Sequence, residues 1–173
     1  QLYTTNFAYN AHSPTKDKLD PWGEFKSIRS LSFEEEFQYT INELEEIGHQ
    51  IVLVYPIPEF LFAAPAYIIG QSTEQNLEDI KKNFTLLSQG YEKFLERAAP
   101  TFRLFDSIKS DNVYRVYPHT IFCDTFAPGQ CVANTSKDIF YADQNHPSEI
   151  GSEMIVKLIM EQIERAEKNI RKN

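Results

Sequence analysis

The run Gln50-Ile-Val-Leu-Val-Tyr55 constrains the fold more than any other stretch of the chain. It is short, β-branched and apolar at consecutive positions, with Gly48 before it and Pro56 after it. A strand exposed on one face alternates apolar with polar residues; a strand covered on both faces reads as one apolar run. The run therefore predicts a buried strand. The residues before it predict a helix. Ser32 and Glu35 have capping-box spacing, and Phe33, Phe37, Ile41, Leu44 and Ile47 follow at helical intervals, with Gly48 placed as the stop. A helix feeding a doubly covered strand points to an α/β fold with a parallel sheet.

Beyond the strand, Pro56-Ile-Pro-Glu-Phe60 reads as a loop. Residues 73–99 read as mostly helical, with Leu77, Ile80, Phe84, Leu87, Tyr91 and Leu95 facing in and Pro100 ending the run. A further short helix is expected over 101–109. Residues 112–117 then predict a second parallel strand, again closed by a proline, and 139–141 a short apolar step. The last helix should start near Ser148, with Ile150, Met154, Ile155, Leu158, Ile159 and Ile163 inward. The first 30 residues are irregular, with Trp22 their one large anchor. Neither repeats nor low-complexity segments interrupt the chain, so residues 1–173 read as a single domain.

Charge narrows the function classes. Lys and Arg number 17 against 25 Asp and Glu, a net charge of −8. The cations cluster only at the tail, residues 165–172, which disfavours a nucleic-acid partner. No run approaches the roughly 20 apolar residues of a membrane span. Gln1-Leu-Tyr-Thr4 has neither the charged nor the apolar part of a signal peptide, so none is expected there.

Cys123 and Cys131 bracket a segment containing Pro128-Gly129, a turn signal. The pair reads as a disulfide across one tight loop or as two free thiols; the shortness of the loop favours the bridge. A metal site would want more Cys or His nearby, and none flanks the pair. A disulfide would imply an oxidising compartment.

Asp143-Gln-Asn-His146 carries the chemistry. Three residues apart across a turn, a carboxylate can accept the Nδ1 proton of the imidazole and leave Nε2 free as a base. Alone, the same pattern is also an ordinary hydrogen-bonded turn. His12, His49 and His119 have weaker claims, lying in the irregular start, after a helix stop and at a strand end.

The surroundings sharpen the reading. Tyr141-Ala-Asp-Gln-Asn-His-Pro-Ser-Glu-Ile-Gly151 resembles the last block of SGNH hydrolases, where a D-x-x-H pair precedes the C-terminal helix. Ser32-Phe-Glu-Glu, the helix, and Ile51-Val-Leu-Val-Tyr-Pro-Ile-Pro-Glu59 are similar to the SGNH domain fused to membrane acyltransferase-3 proteins. So is Tyr117-Pro-His-Thr-Ile-Phe-Cys123 followed by Cys131. The likeness spans about residues 29–160 and rests on the order of these motifs. Two departures stand out: Pro147 where the family usually has Leu, and no Gly-Asp-Ser nucleophile block anywhere in the chain. Candidate serines such as Ser13, Ser27 and Ser30 lack the preceding Gly-Asp.

The resemblance implies a three-layer, flavodoxin-like SGNH fold, incomplete here, with the chain as the C-terminal portion of its domain. It implies Asp143 and His146 as catalytic residues of a Ser-His-Asp site, a Cys123–Cys131 disulfide, and no metal or organic cofactor. The expected reaction is O-acetyl transfer to a carbohydrate such as a lipopolysaccharide O-antigen, from a donor passed on by a membrane acyltransferase domain. That places the domain in the periplasm or another extracytoplasmic space, with the full-length protein anchored in the inner membrane. A secreted carbohydrate esterase and a non-catalytic carbohydrate-binding domain are the alternatives. The loop after the first strand would bring Glu59 and Phe60 toward the acceptor, or serve only as a rigid strand exit.

Overall fold

The computed structural model describes residues 32–70 and 85–171. Trp22, His12, the serines before Ser32, and the expected helix positions Leu77, Ile80 and Phe84 lie outside these. The chain divides into two units, residues 1–51 and 52–173.

In the first unit, helix α1 (Phe33–Glu46) forms as its caps dictate. The Ser32 N–H donates to the Glu35 carboxylate at 2.7 Å, and the Glu35 N–H returns a bond to the Ser32 hydroxyl at 3.3 Å. The Ser32 backbone N–H foremost, and then the Ser32 side chain, hold the Glu35 carboxyl below its ordinary value. At the other end Gly48 adopts φ +87°, the left-handed conformation that glycine enters without strain. His49 N–H then reaches the Leu44 carbonyl and Gly48 N–H the Glu45 carbonyl, both at 2.9 Å, a Schellman stop. The inward face is narrower than its periodicity implied. Only Ile41 is buried, and Phe33 and Ile47, at the two ends of the helical turn pattern, are exposed.

Strand β1 (Ile51–Val54), which begins at the boundary residue, and β3 (Val113–Val116) of the second unit form a short parallel sheet, the expected α/β core. Tyr55 N–H extends the pairing to the Val116 carbonyl at 2.9 Å. The Tyr55 ring is buried against Phe102 and Phe105, and its hydroxyl donates to Asp106 at 2.5 Å. Burial first, and then the Asp106 bond, pushes the phenol pKa well up. Between the strands lie a seven-residue helix α2 (Ala64–Gly70), strand β2 (Ser88–Gly90) and helix α3 (Tyr91–Ser107).

The helix expected over 73–99 is corrected by this arrangement. Residues 88–90 are strand, because β2 pairs antiparallel with β4 (Gln130–Val132), Ser88 opposite Val132 and Gly90 opposite Gln130. The Asn134 side chain supports the approach to β2. It accepts from Leu87 N–H at 2.9 Å and donates to the Thr85 carbonyl at 3.0 Å. Helix α3 starts only at Tyr91, leaves Leu95 exposed, and runs straight through Pro100 to Ser107. Pro100 deprives the Glu96 carbonyl of its helical donor, but both residues are exposed, so water can serve instead. The separate helix over 101–109 is thus the second half of α3.

A one-turn helix α4 (His119–Phe122) carries the chain from β3 to the cysteines. Cys123 and Cys131 form a disulfide, both buried, in an isolated antiparallel bridge. The loop between them is closed by polar bonds as well. Asp124, at φ 58°, accepts from Gly129 N–H at 2.7 Å, and its own N–H donates to the Gln130 carbonyl at 2.8 Å. Phe60, Ala64, Leu87, Phe94, Phe122, Phe140 and Tyr141 pack around the disulfide as the core of this unit. The last helix, α5 (Glu149–Ile170), packs on β3. Its expected inward residue Ile150 is exposed; in this first turn it is the neighbouring Gly151 that is buried, close against Phe140.

His119 is buried among the rings of Tyr91, Phe94, Phe102 and Tyr117, and its Nδ1 has no hydrogen-bond partner. Desolvation lowers its pKa from the ordinary 6.5. As pH falls below 6.5 the unfolded chain takes up this proton before the folded one does, so stability falls. Melting temperature measured from pH 7.5 to 5 should show this loss, and His119→Phe should flatten it. A second expectation concerns the disulfide. Its removal in Cys123→Ser/Cys131→Ser should cost about 2–3 kcal/mol of unfolding free energy in urea titrations, the loop-closure value for so short a loop.

Candidate active site

Residues 140–148 fold back on themselves as a hairpin. Tyr141 bridges Pro147, Ala142 N–H donates to the His146 carbonyl at 2.9 Å, and Ser148 N–H donates to the Phe140 carbonyl at 2.8 Å. The tip of this hairpin is Asp143-Gln-Asn-His146.

Asp143 divides its carboxylate between two tasks. Oδ1 accepts from the backbone N–H of Asn145 at 2.9 Å and of His146 at 2.8 Å, which builds the turn. Oδ2 lies 2.7 Å from His146 Nδ1. The two backbone bonds, then the bond from the imidazole, hold the Asp143 carboxyl at about 2. At neutral pH it is an anion and can only accept, so Nδ1 of a neutral His146 must carry the proton. The lone pair is then on Nε2. The His146 side chain is 74% exposed, which leaves Nε2 open to a reactant. Because the folded value lies below the ordinary 3.8, Asp143 keeps the turn charged well into acid and releases it only as pH falls through about 2.

The hairpin is fixed to the body of the unit at two places. On one side, the Phe60 N–H donates to the Gln144 carbonyl at 2.7 Å, and the Phe60 ring packs on Tyr141 at 4.8 Å. The loop leaving the C-terminal end of β1 therefore touches the D-x-x-H turn directly. Its conformation is held by the Glu59 carbonyl, which accepts from Gln89 Nε2 at 2.6 Å and Arg97 Nη2 at 3.0 Å. On the other side, Ser148 caps α5. Its hydroxyl accepts from Gly151 N–H at 3.2 Å and donates to the Ile139 carbonyl at 2.6 Å. Gly151 lies so close to the segment entering the hairpin that a Cβ there would stand 2.2 Å from the Phe140 carbonyl oxygen.

Of the residues singled out in the sequence, Asp143 and His146 meet as a hydrogen-bonded pair. Glu59 is half-buried in the adjoining loop, whereas Phe60 is buried in the core and offers its backbone rather than its ring. His49 is exposed in the first unit, and His119 is a core residue. Gln89, Arg97 and Gly151 were not marked by the sequence. Only Gly151 left a signal: glycine in the first turn of a helix costs about 1 kcal/mol against alanine, so its presence points to a steric need.

The site is thus an oriented Asp-His pair on a hairpin before the last helix of a mixed α/β unit. The family model of the SGNH domain fused to AT3 domains matches residues 1–161, and the chain belongs to that family. The match takes in the first 28 residues, which the motif reading had left out. No curated protein and no solved structure matches the chain. Among the described residues, no helix is long and apolar enough to cross a membrane.

The close approach of α5 to residue 140 gives a direct test. Gly151→Ala must push the helix or the hairpin aside, at a cost of about 1–3 kcal/mol or more. Chemical denaturation should show that loss, and the resonances of His146 should shift with it.

Proposed function

We propose that Asp143 and His146 are the base half of a Ser-His-Asp site that transfers an acetyl group to a carbohydrate hydroxyl in an extracytoplasmic space. The observation that carries this is the divided carboxylate: one oxygen builds the turn, the other holds Nδ1–H at 2.7 Å, and Nε2 is left exposed. In the first step His146 Nε2 takes the proton of a serine hydroxyl as its oxygen attacks the acyl carbonyl of the donor. The proton passes to the leaving group, and an acyl-serine remains. In the second step Nε2 takes the proton of a sugar hydroxyl, which attacks the acyl-serine and displaces the serine with its proton restored. Asp143 stays ionised throughout and steadies the imidazolium.

The 173 residues contain no Gly-Asp-Ser, so in this reading the serine is supplied from outside them. Family membership and the disulfide support an extracytoplasmic domain working beside a membrane acyltransferase domain. The acceptor would be a polysaccharide such as a lipopolysaccharide O-antigen.

Hydrolysis of an activated acetate ester separates the readings. The 173-residue chain should turn over essentially nothing, and a longer protein that adds a Gly-Asp-Ser segment should be active. In that protein Asp143→Asn should keep the turn, since its carbonyl oxygen can still accept the two backbone bonds. It should nonetheless lower kcat by roughly 10³–10⁴-fold, because the amide favours the wrong imidazole tautomer. Equal rates from the short and long proteins, both abolished by His146→Ala, would place the nucleophile among the serines of this chain. No turnover from either would leave a carbohydrate-binding domain.

A further inference from the structure

The loop bonded to the D-x-x-H hairpin continues past Phe60 into solvent. Leu61 is 82% exposed and Phe62 49%. Phe62 is nevertheless held in place. Its ring lies 5.5 Å from that of Tyr67 at an interplanar angle of 18°, and Tyr67 packs in turn against the core. Tyr67 is itself fixed by its N–H bond to the Ala63 carbonyl at 2.9 Å. One face of Phe62 is thus set against Tyr67, while about half of the residue stays exposed. A single exposed apolar residue is ordinary on any protein surface. A ring backed by a second ring, in the loop that hydrogen-bonds the hairpin bearing the candidate base, is a prepared surface.

Glu59 stands three residues before Phe62. Its backbone is clamped by Gln89 and Arg97. The half-buried residue's carboxylate makes no hydrogen bond or ion pair among the described residues, and its charge adds to burial in raising the Tyr141 phenol pKa. The loop therefore carries an exposed aromatic ring and, three residues before it, a carboxylate outside any hydrogen bond or ion pair among the described residues.

We propose that Phe62, backed by Tyr67, and Glu59 form the acceptor subsite: the C–H face of a pyranose ring stacks on Phe62 while a ring hydroxyl donates to the Glu59 carboxylate. This rests on the reading that the acceptor is a carbohydrate, and it names the residues that select it. The chemistry is complementary. Sugar C–H groups carry partial positive charge toward the negative face of an aromatic ring, and the hydroxyls radiate from the ring edge, where an acceptor-only carboxylate makes a charge-assisted bond. The placement is suitable too. Phe62 and His146 are each two residues from the Phe60–Gln144 hydrogen bond. A residue spans at most about 3.6 Å, so a sugar on Phe62 lies within an oligosaccharide's reach of Nε2. A second copy of the chain is the competing occupant. It would have to desolvate an unpaired carboxylate on each side of a self-association patch, in a chain of net charge −8.

The test uses saturation-transfer NMR on the 173-residue chain with the methyl glycosides of galactose, glucose, mannose and rhamnose. At least one should receive saturation on the C–H protons of a single ring face. Phe62→Ala should weaken that binding about tenfold, as truncation of an aromatic anchor does. Phe62→Trp should restore it and Glu59→Gln should weaken it, with circular dichroism unchanged in all three. No saturation of any glycoside, or binding untouched by Phe62→Ala, overturns the subsite. So does sedimentation showing a wild-type dimer that Phe62→Ala dissociates. Glycoside binding lost in Phe62→Ala while a longer, Gly-Asp-Ser-containing protein shows no acetyl transfer keeps the subsite and overturns the catalytic reading instead.

Discussion

The contact of Gly151 with the Phe140 carbonyl is the constraint on which the site depends. With no Cβ at 151, the first turn of α5 settles directly on the Phe140 backbone that leads into the hairpin. That approach lets Ser148 do three things at once: cap the helix, reach the Ile139 carbonyl with its hydroxyl, and return its N–H to Phe140. The far end of the hairpin is thereby tied to the near end. The four-residue tip Asp143–His146 remains, and Asp143 closes it with one carboxylate oxygen. The orientation of His146 is thus inherited through backbone contacts from a helix of 22 residues. Site geometry held by rigid elements in this way is kept within the narrow limits that proton transfer requires.

An exposed Asp-His pair has little to gain from Coulomb attraction, because water screens it. What fixes the pair here is the backbone. The two N–H bonds to Oδ1 set the carboxylate before the imidazole arrives, and they are the largest cause of its low pKa. The same economy runs through the neighbouring loop. Gln89 lies on β2 and Arg97 on α3, so the Glu59 carbonyl is pinned from two elements that pack on one another. The disulfide lies beneath, joining the segment after α4 to β4, the strand that pairs with β2. Strand pairing, disulfide and loop form one connected support, with the Phe62–Tyr67 stack on its rim.

Local signals were legible wherever local physics decides the structure. The capping box at Ser32, the Gly48 stop and the Ser148 helix start hold, because each depends on residues within one turn. The D-x-x-H turn belongs to the same class. The run at 51–54 is a strand as expected, but Ile51 and Leu53 are buried while Val52 is half-buried and Val54 exposed, so it is not covered on both faces. Residues 88–90 were misread because their fate is set by pairing with β4, about 40 residues away, and by the Asn134 side chain. Pro100 misled for a related reason: proline disfavours a helix interior, but packing of α3 on β2 and β4 outweighs one lost exposed bond. The apolar positions Phe33, Ile47 and Ile150 show that periodicity identifies a face and not its depth. Gly151 was visible only as an anomaly, a poor helix former in a first turn.

The imidazole tautomer of His146 is the quantity from which the chemistry follows. It can be read from the nitrogen chemical shifts of a ¹⁵N-histidine-labelled chain near pH 8, assigned by comparison with His146→Gln. An ionised Asp143 bonded to Nδ1 requires the Nδ1–H form to predominate, and Asp143→Asn should shift the population toward Nε2–H, the form that dominates in free imidazole side chains. An Nε2–H or evenly averaged His146 in the unaltered chain, unchanged by Asp143→Asn, would contradict the orienting role of Asp143 and with it the assignment of His146 as the base.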